Sequence, residues 1–182
     1  MRRAGIYDRN LKARREVSAS SFHFLFSEIV QYYSKRSASA QDFSKALEDL
    51  GYHLGPRVLE LVCFRERACK KETSIVEMLR FVYGPVWKTL FNKNADELEQ
   101  NTEEEDEYMI NEREPSLVSQ FSQGADCPSL APFVAGIIEG LLNAANFGCR
   151  VTAHSVTTDG LSKSVFLVKF APEVLARDRA RK

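Results

Sequence analysis

The side chains best suited to chemistry in this sequence are its histidines and cysteines, and their spacing does not favour a metal site. The three histidines, His23, His53 and His154, fall in different predicted elements. A structural zinc site normally uses paired ligands about two to four residues apart. Cys63 and Cys69 are six residues apart, and no second pair of cysteines accompanies them. We therefore predict no metal site and no bound cofactor.

Nucleophilic, phosphate-binding and acid–base sites are not indicated either. The sequence lacks the Gly-x-Ser-x-Gly turn that exposes a catalytic serine. Gly51-x-x-x-Gly55 lacks the Gly-Lys-Ser/Thr ending of a phosphate-binding loop. Residues 96–107 include eight acidic residues, but a loop crowded with like charges is poorly suited to holding two carboxylates at a fixed separation. We interpret this stretch as a solvated loop and predict that the chain is not an enzyme.

The composition is typical of a soluble globular chain. Of 182 residues, 44% are hydrophobic and 27% are charged. The 25 basic and 25 acidic residues balance, so no overall field favours nucleic acid as a partner. No CxxC pair occurs and no apolar run approaches the roughly 20 residues of a membrane span. We expect a cytoplasmic protein, with a mobile basic arm over residues 1–17 and a single domain over residues 18–182.

The first predicted helix, from about Ser20, carries a wide apolar stripe. Its members recur at the spacing of one helical face: Phe22, Leu25, Phe26, Ile29, Val30 and Tyr33. Phe24 and Tyr32 lie outside this stripe. These two additional large side chains indicate a helix that is covered on two sides.

Glycine and proline divide the following residues into three more predicted helices. The second begins by residue 40 and ends at Gly51, which suits a left-handed C-cap. Gly55-Pro56 restarts the chain, because proline fits a first helical turn. The fourth helix covers residues 73–91, with a kink at Gly84-Pro85.

Strands and one long helix are predicted in the second half. Residues 108–113 alternate like a strand, and Leu117-Val118 is a candidate return strand. In the helix that follows, Gly136-x-x-x-Gly140 leaves a flat face that a second backbone could approach closely. The remaining predicted elements are strands over residues 149–157 and 164–170 and a terminal helix from Pro172.

Helices first and strands later predict an α+β fold with a mostly antiparallel sheet. The predicted layout has four N-terminal helices, followed by a small four-stranded sheet. One long helix is inserted between its two strand pairs.

Five short motifs occur in the order found in one known family. They are Gly51–Arg57, Lys88–Phe91, Ile110–Pro115, Val151–His154 and Val174–Arg179. Over residues 18–179 the chain resembles the small core subunits of the transport protein particle (TRAPP). The resemblance implies a helical layer packed on a small antiparallel sheet, in agreement with the predicted element order.

The resemblance also implies a function. TRAPP is a rod of paired small subunits that acts as a nucleotide-exchange factor for a Rab-family GTPase in endoplasmic-reticulum-to-Golgi traffic. A subunit of this kind would be a non-catalytic scaffold, peripherally associated with Golgi and endoplasmic-reticulum membranes through the complex. The first two helices would contact a neighbouring subunit, here an acylated sister subunit. The expected contact residues are those of the first-helix stripe: Phe22, Leu25, Phe26, Ile29, Val30 and Tyr33.

Two of the family motifs suggest a structural pair. Arg57 follows Gly55 as in the family's Gly-x-Arg, and a buried guanidinium needs a carboxylate partner. Glu112 and Glu114, on either side of Arg113, are the candidates. We therefore predict that Gly51, Gly55, Arg57 and the Glu112–Glu114 segment act together in the fold.

Acylation and membrane contact have one candidate each. Cys69 lies in the loop comparable to the one that carries the acylated cysteine of the sister subunit. It is closer to Glu72-Thr73 than the family pattern requires, which disfavours acylation. The basic arm over residues 1–17 is a candidate for contact with an anionic membrane or an acidic partner.

A different class of function is a small-molecule sensor. The fold class also resembles bacterial ligand-binding domains of the 4-vinyl-reductase type, which enclose an apolar pocket. The candidate lining residues are Met78, Phe81, Trp87 and Phe133. The lack of metal-ligand spacing and of polar anchors makes the subunit interpretation the preferred one.

Overall fold

The fold is an α+β arrangement in which helices cover one face of a four-stranded antiparallel sheet. The structure is a computed structural model that describes residues 18–66, 72–102, 104, 106–113, 131–158 and 161–181. Its elements, in chain order, are α1 (Ala19–Ser34), α2 (Ala40–Glu66), α3 (Ile75–Phe81), a π-helical turn (Val82–Val86), α4 (Trp87–Phe91), β1 (Glu97–Gln100), β2 (Glu107–Glu112), α5 (Ala131–Ala144), β3 (Cys149–Thr158), β4 (Leu161–Phe170) and α6 (Pro172–Arg179).

The predicted fold class is confirmed, including the long helix between the two strand pairs. The strands are ordered β1-β2-β4-β3 and every neighbouring pair is antiparallel. Four α-helical segments precede the sheet. Residues 1–17 lie outside the described part of the chain, so the proposed arm and its boundary stay predictions.

The strand that pairs with β2 at the edge of the sheet differs from the predicted one. Residues 97–100 form β1 and pair with β2, although residues 96–107 were expected to form a loop throughout. The acidic side chains are tolerated there because distant cations reach them. Lys163 Nζ lies 3.1 Å from a Glu97 oxygen, and Lys169 Nζ lies 2.8 Å from a Glu107 oxygen. The candidate return strand Leu117-Val118 is outside the described residues.

The predicted helix boundary between Gly51 and Pro56 is wrong, because α2 runs unbroken from residue 40 to residue 66. Gly51 and Gly55 face α5 instead of ending a helix. A Cβ added at either would approach α5 backbone atoms to under 3.0 Å. Pro56 has no N–H for the carbonyl four residues earlier, that of Tyr52. This carbonyl oxygen lies against Gly140 of α5.

The predicted flat face on α5 is confirmed. A Cβ on Gly136 would approach the carbonyl oxygen of Glu48 to under 3.0 Å, and one on Gly140 would do the same at Tyr52. Each helix thus contributes two glycines four residues apart to one crossing. The two backbones are in direct contact there, which no other residue type permits.

Gly84-Pro85 interrupts the helix without ending it. The π-helical turn Val82–Val86 contains both residues, and α4 continues immediately after it. A wider turn accommodates the missing N–H of a helical proline. The Thr89 hydroxyl donates to the carbonyl oxygen of Pro85 at 2.8 Å. Trp87, at the start of α4, lies in the core, where it is 1% exposed.

Two apolar clusters form the core. The larger lies between the helices and the inner face of the sheet and includes Leu79, Trp87, Ile110, Leu141 and Phe166. The smaller joins α1, α2 and α5 through Phe26, Phe43, Leu47, Phe133 and Ile137. Of the two clusters, only the smaller one includes residues of α1.

Candidate functional site

Glu112 anchors the central sequence motif, but it does not pair with Arg57. Its side chain is buried, and one carboxylate oxygen accepts a hydrogen bond of 2.9 Å from Nε1 of Trp87. The other oxygen forms an ion pair with Lys93. Arg57 is exposed on α2. The predicted Arg57–Glu112 pair is therefore wrong, and Glu114 lies outside the described residues.

Arg113 closes the edge of the sheet. Its backbone N–H donates to a carboxylate oxygen of Asp96 at 2.7 Å, and its guanidinium pairs with Glu97. Hydrogen bonds from Lys163 and Arg113 hold the pKa of the Glu97 carboxyl below its usual value. The motif thus fastens β1 to β2, a structural role rather than a catalytic one.

The last motif joins the end of the domain to its middle. A carboxylate oxygen of Asp178, in α6, accepts a hydrogen bond of 3.0 Å from the backbone N–H of Ile75 at the start of α3. Free N–H groups at a helix start require such an acceptor. No role for Asp178 was expected from the sequence. In the sequence Asp178 is an acid between Arg177 and Arg179, and nothing local to it indicates which helix it caps.

A second buried charge cluster joins α2, α5 and β3. Glu139 is 7% exposed, and its carboxylate accepts the Val151 N–H at 2.8 Å. The Arg150 guanidinium bridges Glu139 and Glu48. Burial raises the pKa of the Glu48 carboxyl, and Arg150 opposes this shift. These groups hold α2, α5 and β3 together.

Cys149 is half-buried beside this cluster, and its surroundings disfavour the reactive thiolate form. Burial, with a smaller effect of the Glu139 charge, raises the pKa of Cys149 to about 12. We expect a variant that keeps only this cysteine (Cys63→Ser, Cys69→Ser and Cys127→Ser) to react with Ellman's reagent at pH 8 at least roughly 100-fold more slowly than free cysteine. Full reactivity should return in guanidinium chloride. Rapid labelling of the native protein would contradict the assigned burial.

The predicted contact residues of α1 divide into exposed and buried groups. Leu25 is 61% exposed and Phe22 is 36% exposed. Ile29, Val30 and Tyr33 are half-buried. Phe26 is 2% exposed and its ring packs 5.0 Å from that of Phe133, centroid to centroid. Phe26 is therefore a core residue, which corrects its assignment to the contact surface.

Large apolar side chains remain uncovered on both of the first two helices. On α1, Phe24 is 75% exposed and Tyr32 is 52% exposed. On α2, Leu61 is 41% exposed and Phe64 is 60% exposed. Such residues on neighbouring elements are typical of a protein–protein interface. We refer to the exposed apolar residues Phe22, Phe24, Leu25, Tyr32, Leu54, Leu61 and Phe64 as the α1–α2 surface.

A family comparison identifies the chain. The model described as transport protein particle (TRAPP) component matches residues 22–171. This chain belongs to the TRAPP component family. That match includes all of β1–β4 and α5, and α1 from Phe22 onward.

Curated TRAPP subunits of three organisms match over nearly the whole chain. Trafficking protein particle complex subunit 5 of Dictyostelium discoideum is 47% identical over 178 residues, which cover 95% of this chain and 96% of the relative. Subunit 5 of Homo sapiens is 39% identical, covering 93% and 88%. Subunit 31 of Saccharomyces cerevisiae is 30% identical, covering 97% and 84%. The chain is therefore a component of the TRAPP complex, similar to subunit 5, and interacts with other TRAPP subunits in vesicle transport.

A solved TRAPP structure has the same fold. It is trafficking protein particle complex subunit 3 from Naegleria fowleri, covalently bound to palmitic acid. The TM-score is 0.68 at 16% identity, covering 83% of this chain and 93% of that one. In this family fold, the four residues expected to line a sensor pocket are packed in two separate clusters, Met78, Phe81 and Trp87 in one and Phe133 in the other. The TRAPP assignment does not favour the sensor alternative.

The part of the chain that the structure describes holds neither a metal-binding cluster nor a membrane-spanning helix. Within it, no group of three or more His, Cys, Asp or Glu side chains is placed to hold a metal ion. Among the same residues, no helix has the length and apolarity that crossing a bilayer requires. Cys69 lies outside this part of the chain, so its acylation stays untested.

Proposed function

We propose that this chain is a non-catalytic scaffold subunit of a TRAPP complex that acts as a guanine-nucleotide-exchange factor for a Rab-family GTPase. In this proposal the complex works in endoplasmic-reticulum-to-Golgi traffic and lies in the cytoplasm, peripherally on those membranes. The observation that carries the proposal is the α1–α2 surface on a chain whose relatives are named as complex subunits.

The buried charges support a scaffold role over a catalytic one. Glu112 and Glu139 are engaged by Trp87, Lys93, Arg150 and the Val151 N–H, all within the fold. A general acid or base must instead reach a substrate. The Rab contacts that stimulate exchange would then be supplied by other subunits, while this chain holds its neighbours in position.

The partner that we propose for the α1–α2 surface is an acylated sister subunit. The solved relative that carries covalent palmitic acid is a subunit 3, whereas this chain is similar to subunit 5. The acyl group would then belong to the partner, in agreement with the unfavourable spacing around Cys69. The contact residues on this chain are Phe22, Phe24, Leu25, Tyr32, Leu54, Leu61 and Phe64, with Ile29, Val30 and Tyr33 at its margin.

The test is co-purification of this chain with a TRAPP subunit 3 from the same organism. We expect a stable 1:1 complex by size-exclusion chromatography with light scattering. Leu25→Asp and Phe64→Asp should each weaken it roughly 30-fold or more, because each places a charge in an apolar contact of about 2 kcal/mol. The melting temperature of the free chain should change little, since both side chains are exposed.

Val156→Asp is the matched control. Val156 is also an exposed apolar residue, 44% exposed, but it lies on β3, away from the first two helices. This variant should bind subunit 3 like the unmodified chain. Equal binding by all three variants, or no binding by the unmodified chain, would refute the proposed contact.

A further inference from the structure

The acidic run that follows β1 has no role in the proposed function. Thr102 lies in the turn between β1 and β2, and five acidic residues follow it without interruption: Glu103, Glu104, Glu105, Asp106 and Glu107. A serine or threonine with an acidic residue three positions later is a charge pattern that acidophilic protein kinases select. The neighbouring acids strengthen this pattern, so the sequence around Thr102 matches a phosphorylation site.

The same spacing also occurs at the start of helices, where a hydroxyl and an acid cap free N–H groups. Three serine or threonine residues of the sequence have an acid three positions later: Ser39, Ser74 and Thr102. The Ser39 hydroxyl donates to a carboxylate oxygen of Asp42 at 2.8 Å and accepts the Asp42 N–H at 3.1 Å. Ser39 therefore caps α2, and the fold accounts for its spacing.

Ser74 also belongs to a helix start. It is the N-cap residue of α3, and Ile75, Met78 and Leu79 after it are buried. Modification by another enzyme requires that the acceptor and its neighbours reach that enzyme's active site, which a segment packed on the core does not allow. Ser74 is therefore a poor acceptor.

Thr102 differs from both serines. It is exposed, and the element that follows it is a strand, so the acids after it are not helix caps. Among the described residues, its hydroxyl makes no hydrogen bond. The structure thus leaves this hydroxyl accessible in a surface turn.

A structural role explains only part of the acidic run. Lys169 Nζ, on β4, lies 2.7 Å from a Glu104 oxygen and 2.8 Å from a Glu107 oxygen. One ammonium group can hold the turn against β4 without five consecutive acids. Further like charges in one turn repel one another and oppose its folding, so their presence favours a role outside the fold.

We propose that Thr102 is a phosphorylation site of an acidophilic serine/threonine protein kinase, with the acids that follow it as the recognition sequence. In the reaction Thr102 Oγ1 attacks the γ-phosphorus of ATP, and the bond to the β-phosphate oxygen breaks with ADP as the leaving group. The hydroxyl proton passes to the carboxylate base of the kinase. The kinase is a separate enzyme, so this chain needs no catalytic residue of its own.

Phosphorylation changes the charge at one end of the sheet. The formal charge of the chain is zero, and a phosphothreonine adds about −1.5 to −2 at neutral pH. The site does not depend on the proposed function, because Thr102 lies on the β1–β2 turn, whereas the α1–α2 surface lies on the first two helices.

The experiment incubates the purified full-length chain with ATP and casein kinase 2, an acidophilic protein kinase. Intact-mass and tandem mass spectrometry should show one phosphate per chain, on Thr102. Thr102→Ala should abolish this incorporation.

Two acidic positions on opposite sides of the acceptor test the recognition sequence. Glu105→Ala should lower kcat/KM at least roughly tenfold, because the kinase selects a negative charge three positions after the acceptor. Glu99→Ala is the matched control, since it removes an exposed carboxylate three positions before Thr102. Its kcat/KM should stay within about twofold of that of the unmodified chain. Equal melting temperatures would show that unfolding does not cause the difference.

No phosphate on the native chain, or phosphate on Ser39 or Ser74 with Thr102 unmodified, would overturn the assignment. Equal rates for Glu105→Ala and the unmodified chain would refute selection by the acidic run. A 1:1 complex with subunit 3 should be phosphorylated as fast as the free chain. Because the free chain decides the assignment, failure of that complex to form would refute the proposed contact and leave the phosphorylation site standing.

Discussion

Replacing Gly136 with alanine is expected to lower the melting temperature of the free chain by roughly 6–12 °C. The new Cβ would collide with the carbonyl oxygen of Glu48, so α2 and α5 must move apart. Overpacking of this kind costs about 3 kcal/mol. The melting temperature of a domain of this size falls by roughly 2–4 °C for each kcal/mol of stability lost. Gly140→Ala should behave similarly, because its Cβ would meet the backbone of Tyr52. Thermal unfolding followed by circular dichroism measures both.

Gly84→Ala provides the control for this experiment. Gly84 is also a helical glycine, but a Cβ added there meets no atom within 4 Å. Alanine should therefore be neutral or stabilise by about 0.5–1 kcal/mol, the usual advantage of alanine over glycine in a helix. A loss of stability at Gly84 equal to that at Gly136 would mean that helix contact is not the cause.

Removing the Glu112 carboxylate should have the second large effect. Glu112→Ala is expected to lower the free energy of unfolding by about 3 kcal/mol. Most of this loss comes from the buried Trp87 N–H, which would lose its acceptor, and from the space left by the side chain. Lys93 contributes less, because its side chain is 37% exposed and solvent screens the pair. Urea denaturation monitored by tryptophan fluorescence reports on this site directly, since Trp87 is the one tryptophan in the sequence.

Two companion variants separate the contribution of the Glu112 hydrogen bond from that of its charge. Glu112→Gln keeps an oxygen for the Trp87 indole and should cost only about 1 kcal/mol. Glu99→Ala removes an exposed carboxylate from the adjacent strand and should change stability by less than about 0.5 kcal/mol. If glutamine were as damaging as alanine, the charge rather than the hydrogen bond would be the dominant contribution.

The fold class could be predicted from the sequence because apolar periodicity is a local signal. The stripes of α1 and α5, the alternation of β2 and the paired strands near the end were each visible within about ten residues. The flat face of α5 was recognised because its two glycines lie in an otherwise apolar helix. The same pair on α2 was misread, since glycine followed by proline is also the local signature of a helix end. Only the packing of α5 against Gly51 and Gly55 distinguishes a helix crossing from a helix end.

The errors elsewhere also involve partners that are distant in the chain. Strand β1 looks like a loop because it lies in an acidic stretch, and Lys163, which pairs with its Glu97, lies 66 residues later. Arg57 and Glu112 were paired because each needed a counter-charge. In the structure Glu112 accepts a hydrogen bond from Trp87 and forms an ion pair with Lys93, whereas Arg57 lies on the surface.

The candidate contact site was partly visible in the same way. The spacing of aromatic residues in α1 identified the correct helix, and the excess of Phe24 and Tyr32 indicated a second covered side. Spacing alone could not separate Phe26, which is buried, from Leu25, which is exposed, because adjacent residues of a wide stripe differ only in which neighbour they meet. The exposed apolar residues Leu54, Leu61 and Phe64 of α2 were not predicted to form a contact surface, since the supposed break at Gly51 hid the fact that they lie on one continuous helix.

The strand order has a consequence for how the protein is made. Strand β4 is the last strand in the described chain, yet it lies between β2 and β3. On the ribosome, the β1–β2 hairpin emerges early and must wait, with one edge unpaired, until residues 161–170 have left the exit tunnel. The sheet therefore cannot close before residues 161–170 have been made. During that interval the nascent chain exposes strand edges and aromatic helices together, a state in which a chaperone or an early-binding sister subunit would protect it from aggregation.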